Sequence, residues 1–246
     1  MAASGTIALV GAGEFLEGMA EVDRHLISRV PSQPVRVAVV PTAAGLENPR
    51  AWTDMGVPHF QRLGAEAEPV LVIDRRTADD PHMAAAIRRS NFVYLSGGQP
   101  GYLLECFRDS AVWQAIMDVH AQGGVLAGCS AGAMVLGELT RVRRPGAPPG
   151  GPSSSSWTWT RGLAFLPGLA IAPHFNRMTT ERLQGFIDGV PSSQTVLGID
   201  EHTAAVGDGV EWVVMGRGRV CVIQDGRHAD YTAGETFALD VVGKRG

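Results

Sequence analysis

Cysteine is scarce in this 246-residue sequence: Cys106, Cys129 and Cys221 are the only three, an odd number with no paired spacing. That excludes a disulfide framework as the basis of the fold and suits buried thiols in a reducing compartment. Aromatic residues make up 7% of the chain, and the basic residues are scattered under a net charge of −4. No electrostatic footprint for nucleic acid results. No apolar run is long enough to span a bilayer, and residues 6–10 are too short for a signal-peptide core and follow no basic segment. A cytoplasmic protein without membrane contact is expected. No spacing of His, Cys or carboxylates suggests a metal site. The partial glycine pattern Gly11-x-Gly13 has Leu16 where a dinucleotide fingerprint needs its third glycine. No cofactor is therefore expected.

What the chain does have is 45% hydrophobic residues, enough at this length to bury a full core without staples. Short β-branched runs at 6–10, 35–40, 69–73, 92–95, 125–128, 169–172 and 195–199 alternate with segments of helical spacing at 21–30, 49–63, 80–89, 102–107 and 111–122, and with a helix that Thr179 or Thr180 can cap and that carries Leu183, Phe186 and Ile187. This alternation predicts an α/β protein, a single domain over 1–246 with a mainly parallel central sheet and helices on both faces, a three-layer αβα sandwich. Residues 141–156, rich in proline, glycine and serine, are expected to form a long loop. Trp157 and Trp159 then alternate with threonines as a short strand or an anchor for the loop's return. From 204 onward, short alternating runs between glycine turns predict an antiparallel meander at one sheet edge.

Ligands in such sheets bind outside the carboxyl ends of the strands. Gly128-Cys129-Ser130-Ala131-Gly132 lies at such an end and fits the Gly-x-Ser-x-Gly pattern, in which a sharp strand-to-helix turn exposes a hydroxyl. Centring the pattern on Ser130 places glycines on both sides, whereas centring it on Cys129 places alanines there. Ser130 is thus the candidate nucleophile and Cys129 an inward strand residue. The competing reading is a tight turn of small residues. The Ala131 N–H, at the helix start, can donate to an oxyanion, and the Gly97-Gly98-Gln99 turn on a neighbouring strand end can supply a second N–H, from Gly98.

A serine hydroxyl needs a base, and the base needs an orienting acid. Five of the seven histidines fall in helical segments or in the terminal meander, which leaves His174 and His202 at strand ends. His174 with Glu201 as its acid is the first choice. His202 as base is the runner-up, since adjacent side chains on an extended segment point opposite ways.

The residues Leu95-Ser96-Gly97-Gly98-Gln99, Gly128–Ala133, His174-Phe175, Gly198–Ala204 and Gly11-x-Gly13-Glu14-Phe15 together resemble the serine peptidases that include cyanophycinase and aspartyl dipeptidase, whose fold is similar to that of class I glutamine amidotransferases. The resemblance runs in order along most of the chain. It implies Ser130 as nucleophile, His174 as base and Glu201 as acid, with an acyl-enzyme route to cleavage of a peptide or isopeptide substrate beside an aspartyl residue. The dipeptidase branch carries its acid soon after the serine helix. Here residues 140–162 hold no aspartate, so the cyanophycinase-like branch fits better. Pro173 stands where that branch often has glutamine, and only Arg177 and Arg182 follow, which argues against cyanophycin itself. Arg177 is a candidate clamp for a substrate carboxylate, and Gln99 a candidate substrate contact. A non-catalytic small-molecule or peptide binding protein on the same scaffold is the alternative function, and the oligomeric state stays open, a homodimer included.

Overall fold

The computed structural model describes residues 5–144, 146 and 156–239. In chain order the elements are β1 (Thr6–Val10), α1 (Ala20–Arg29), β2 (Arg36–Val40), α2 (Pro49–Arg62), β3 (Glu66–Pro69), α3 (Arg75–Ala78) and α4 (Pro81–Arg89). Then come β4 (Phe92–Leu95), α5 (Pro100–Phe107), α6 (Ala111–Ala121), β5 (Val125–Cys129), α7 (Ala131–Met134), β6 (Gly137–Arg143), β7 (Trp157–Arg161) and β8 (Leu166–Ala172). The chain continues through α8 (Thr180–Ile187), β9 (Thr195–Ile199), β10 (Thr203–Gly207), β11 (Glu211–Gly216), β12 (Arg219–Gln224), β13 (Arg227–Thr232) and β14 (Thr236–Ala238). No helix among the described residues is long and apolar enough to cross a membrane.

These strands build a mixed α/β fold with two sheets. The first has eight strands in the order β14-β11-β10-β1-β5-β4-β2-β3, with β1, β5, β4, β2 and β3 parallel and β10, β11 and β14 antiparallel. The second has six, in the order β13-β12-β9-β8-β6-β7. The period-2 alternation of a strand sorts its side chains between two faces. On β1, Ile7 and Leu9 join one core with Ile87 of α4, Leu103 of α5 and Ile116 of α6. Ala8 and Val10 join another with Leu26 of α1 and Phe60 of α2. The second sheet turns Leu169 and Ile171 of β8 into the first core, while Ala170 and Ala172 pack beneath Phe186 of α8.

The single, mainly parallel sheet expected from the sequence is therefore two sheets. The strands ending at Ala172 and Ile199 pair with each other and with β6 and β12, not with the serine's strand. The C-terminal meander divides likewise: β10, β11 and β14 extend the first sheet, while β12 and β13 extend the second. Local alternation marks strands but carries no information on which sheet each one joins. The strand read at 69–73 is displaced to Glu66–Pro69. Pro69 has no N–H to continue a ladder, and Val70 and Val72 enter the core as irregular chain. Strand β3 ends its sheet with exposed Glu66 and Glu68, charges of the kind that blunt an edge against unwanted pairing. Strand β6 reaches Arg143, so Arg141, Val142 and Arg143 belong to a strand and not to the loop. Most of the 141–156 loop, and residues 240–246, lie outside the described residues.

What matters for function is where strands end. Val10 is level with Cys129, Leu95 with Gly128 and Val40 with Leu95, so β1, β5, β4 and β2 finish on one rim. Ala172 is level with Gly198, so β8 and β9 finish together on the rim of the second sheet. Hydrogen bonds from Gly11 N–H to the Thr203 carbonyl and from His202 N–H to the Ala12 carbonyl tie the first turn to the segment leaving β9.

Candidate active site

Ser130 occupies the turn between β5 and the one-turn helix α7, at φ 49° and ψ −110°, a conformation that L-residues rarely adopt. Packing holds it there. Its N–H donates to the Val10 carbonyl at 2.9 Å, and its own carbonyl accepts from Met134. A Cβ on Gly128 would lie 2.5 Å from the Gly132 carbonyl oxygen, and one on Gly132 would lie 2.5 Å from that of Leu95. Neither position has room for a side chain, which is the close helix–strand approach the pattern requires. The hydroxyl is thereby lifted toward the second sheet.

His174 stands just past the end of β8 in a left-handed conformation, φ 52° and ψ 35°, and opens a 3-10 turn over Phe175–Arg177. Its Nε2 is 3.0 Å from Ser130 Oγ. Its Nδ1 is 3.0 Å from Glu201 Oε1, contributed by the segment after β9. Glu201 Oε2 accepts a hydrogen bond from Arg177 Nε at 2.9 Å, and its backbone N–H donates to Asn176 Oδ1 at 3.0 Å. The hydrogen bonds from His174 and then Arg177 hold the Glu201 carboxyl below its ordinary value. A carboxylate can only accept, so it selects the His174 tautomer with the proton on Nδ1, leaving Nε2 to accept from the serine hydroxyl. The arrangement can move a proton from Ser130 to His174 and stabilise the imidazolium that results.

The remaining candidates fall in different places. Gly98 lies at φ 142°, and a Cβ there would strike the Ala43 carbonyl. Gln99 donates its N–H to Ala43 O, while its side chain is turned to Glu47 Oε1 at 3.2 Å. Arg177, read as a clamp for substrate, is engaged by the site's own acid. His202 sits against Gly13 with a buried Nδ1 that meets no partner among the described residues, and it takes no part in the chain from Ser130 to Glu201. Neighbouring Asp200 turns Oδ2 to the Arg219 N–H instead. Cys129 is fully buried, and burial followed by the nearby Glu14 carboxyl pushes its thiol well above the ordinary range. No group of three or more His, Cys, Asp or Glu residues that could hold a metal occurs among the described residues.

Two contributors were not singled out as site residues. Asn176 fixes the backbone at Glu201, and nothing distinguishes it in sequence from an ordinary turn asparagine. Glu14 is buried, and its carboxyl accepts from Gly97 N–H and from Cys129 Sγ, each at 2.8 Å. An acid placed directly after a glycine turn at a strand end was the available signal.

A fold that brings hydroxyl, imidazole and carboxylate together across two sheet rims is one suited to acyl transfer. Comparison with known proteins agrees in class: the model of peptidase family S51 matches residues 7–213, and the chain belongs to that family. A cyanophycinase of Synechococcus elongatus is 32% identical over 201 residues, covering 80% of this chain and 60% of that protein. The chain thus spans about three fifths of the length of that curated relative. A cyanophycinase of Trichormus variabilis is 27% identical, over 88% of this chain and 72% of its own. Among solved structures, a peptidase from an acI-B1 actinobacterium superposes with a TM-score of 0.83 at 31% identity, covering 96% of this chain and 97% of the other. A putative peptidase E from Listeria monocytogenes, at 18% identity and a TM-score of 0.64 over 88% of this chain and all of its own, shares the fold.

Proposed function

We propose that this protein is a serine hydrolase that cleaves a peptide or isopeptide bond beside an acidic residue through an acyl-enzyme. The observation that carries the reading is the continuous hydrogen-bonded chain from Ser130 Oγ through His174 to Glu201, with 3.0 Å at each step. In the first half-reaction Ser130 Oγ bonds to the acyl carbon while its proton passes to His174 Nε2, and Glu201 stabilises the imidazolium. The carbonyl oxygen becomes an oxyanion that the Ala131 and Gly98 N–H groups would receive. Collapse breaks the C–N bond, and the proton on His174 goes to the leaving amine. Water then attacks the ester and gives its proton to His174 Nε2; the bond from Ser130 Oγ to the acyl carbon breaks, that proton passes to Ser130 Oγ, and the acid leaves. Among the described residues Arg177 meets a side-chain acceptor through its Nε, at Glu201, and its terminal N–H groups can turn to a carboxylate on the substrate, which supports the acidic preference.

The test is labelling with a fluorophosphonate, which forms a phosphonyl ester on an activated serine as fluoride leaves. Wild type and Cys129→Ala are expected to label and Ser130→Ala is not. Screening dipeptides and β-aspartyl peptides against wild type and Ser130→Ala would then define the bond cleaved. Equal labelling of Ser130→Ala and wild type overturns the assignment of the nucleophile. Absence of both labelling and turnover favours a binding protein on this scaffold.

A further inference from the structure

The turn that carries Gly98 and the strand end that carries Ser130 belong to neighbouring strands, β4 and β5, and a third turn reaches between them. Residues 11–15 follow β1 and place Glu14 beneath both. Glu14 is 5% exposed, and both donors to its carboxyl, the Gly97 amide and the Cys129 thiol, are neutral. Burying an acid costs free energy unless its oxygens are hydrogen-bonded, and these two contacts supply one donor to each oxygen. The turn itself is strained. Phe15 lies at φ 64°, unusual for a bulky residue, and its ring is held by Tyr94 at 4.9 Å and Phe60 at 6.0 Å. Strain at a non-glycine residue persists only where surrounding packing over-determines it. Here that packing fixes the side chain next in line.

Position makes the carboxyl more than a core contact. A Cβ on Gly97 would lie 2.9 Å from Glu14 Oε1 and 3.3 Å from Ser130 Cβ, so the amide turn packs against the acid on one side and the nucleophile on the other. With the Gly97 N–H turned down to Glu14, that amide is withdrawn from the substrate side. The next N–H in the turn, that of Gly98, is left to meet an acyl oxygen.

We propose that Glu14 is a positioning residue: its carboxyl clamps the turn after β4 to the end of β5, and so decides that Gly98 rather than Gly97 presents its amide to the oxyanion. The clamp rests on the serine-hydrolase reading for its catalytic meaning but not for its structural content, so the two can be tested apart.

The experiment pairs fluorophosphonate labelling kinetics with amide hydrogen exchange on Glu14→Gln and Glu14→Ala. Glu14→Gln keeps the shape and one acceptor for Gly97 but presents an NH2 to the thiol, whereas Glu14→Ala removes the clamp. The maximal labelling rate is expected to fall about tenfold for Gln and about a hundredfold for Ala, the scale of a misplaced oxyanion donor, while the half-saturating probe concentration barely moves. In wild type the Gly97 amide should exchange slowly and the Gly98 amide fast, and Glu14→Ala should bring Gly97 to the fast class. A merely structural role would lower the melting temperature and leave the maximal rate of the folded fraction intact, which overturns the proposal. So does fast exchange at Gly97 with slow exchange at Gly98 in wild type, a measurement that stands even if neither variant folds. If wild type fails to label, the hydrolase reading falls while the exchange pattern still judges the clamp.

Discussion

The rim of the eight-stranded sheet and the rim of the six-stranded sheet give the site different kinds of groups. On the first rim, Cys129, Ala131 and Gly132 are buried, Glu14 lies beneath them, and contacts between small residues fix Ser130. On the second, the side chain of His174 is 45% exposed and that of Arg177 74%, and hydrogen bonds between side chains set their geometry. One half of the site is part of the core, and the other half is displayed on turns. Changes on the first rim should therefore disturb folding and chemistry together, while changes on the second should affect chemistry with little cost in stability.

Three substitutions sharpen that contrast, and a fourth comparison refines it. Ser130→Ala is expected to have the largest effect on chemistry, abolishing labelling and turnover, as seen by intact-mass measurement after exposure to the probe. His174→Ala, on the other rim, should lower kcat by about a thousandfold or more while the melting temperature stays within a few degrees. A large fall in melting temperature there would break the distinction. Gly128→Val should show the reverse emphasis. With 2.5 Å to the Gly132 carbonyl oxygen there is no room for a side chain. A loss of about 3 kcal/mol or more in denaturant unfolding is expected, the upper range for overpacking.

The smallest effect concerns Arg177. The folded state holds the Glu201 carboxyl below its ordinary value of 4.5, through His174 first and Arg177 second. A depressed acid contributes stability that is complete above the unfolded value and fades as pH falls through the folded one. Arg177→Met should thus melt slightly below wild type near neutral pH, by the equivalent of less than about 1 kcal/mol because the pair is exposed. The gap should close as pH drops below 4.5. A gap that widens in acid would show that Arg177 acts through something other than Glu201.

Much of this was legible before folding was considered. The pentapeptide around Ser130 carries its own geometry, because glycine at positions 128 and 132 is a statement about backbone approach. His174 and Glu201 were legible as residues at strand ends, and the spacing that marked those strands is local. Arg177 was read as a substrate clamp because a lone arginine in sequence shows no partner, and the partner it found is 24 residues on. Glu14 was named only within a resemblance, since its two donors lie 83 and 115 residues away.

By itself, then, the sequence determined the strand and helix segments, the strained turn that exposes a hydroxyl, and the residue types able to move a proton. Those properties depend on spacing over a few residues, where sterics and periodicity act directly. Only tertiary structure decided that the strands divide between two sheets, that the two rims meet, and that Glu201 is shared between His174 and Arg177. Strand pairing and hydrogen bonds across such separations depend on how whole faces pack, and no local pattern encodes the partner.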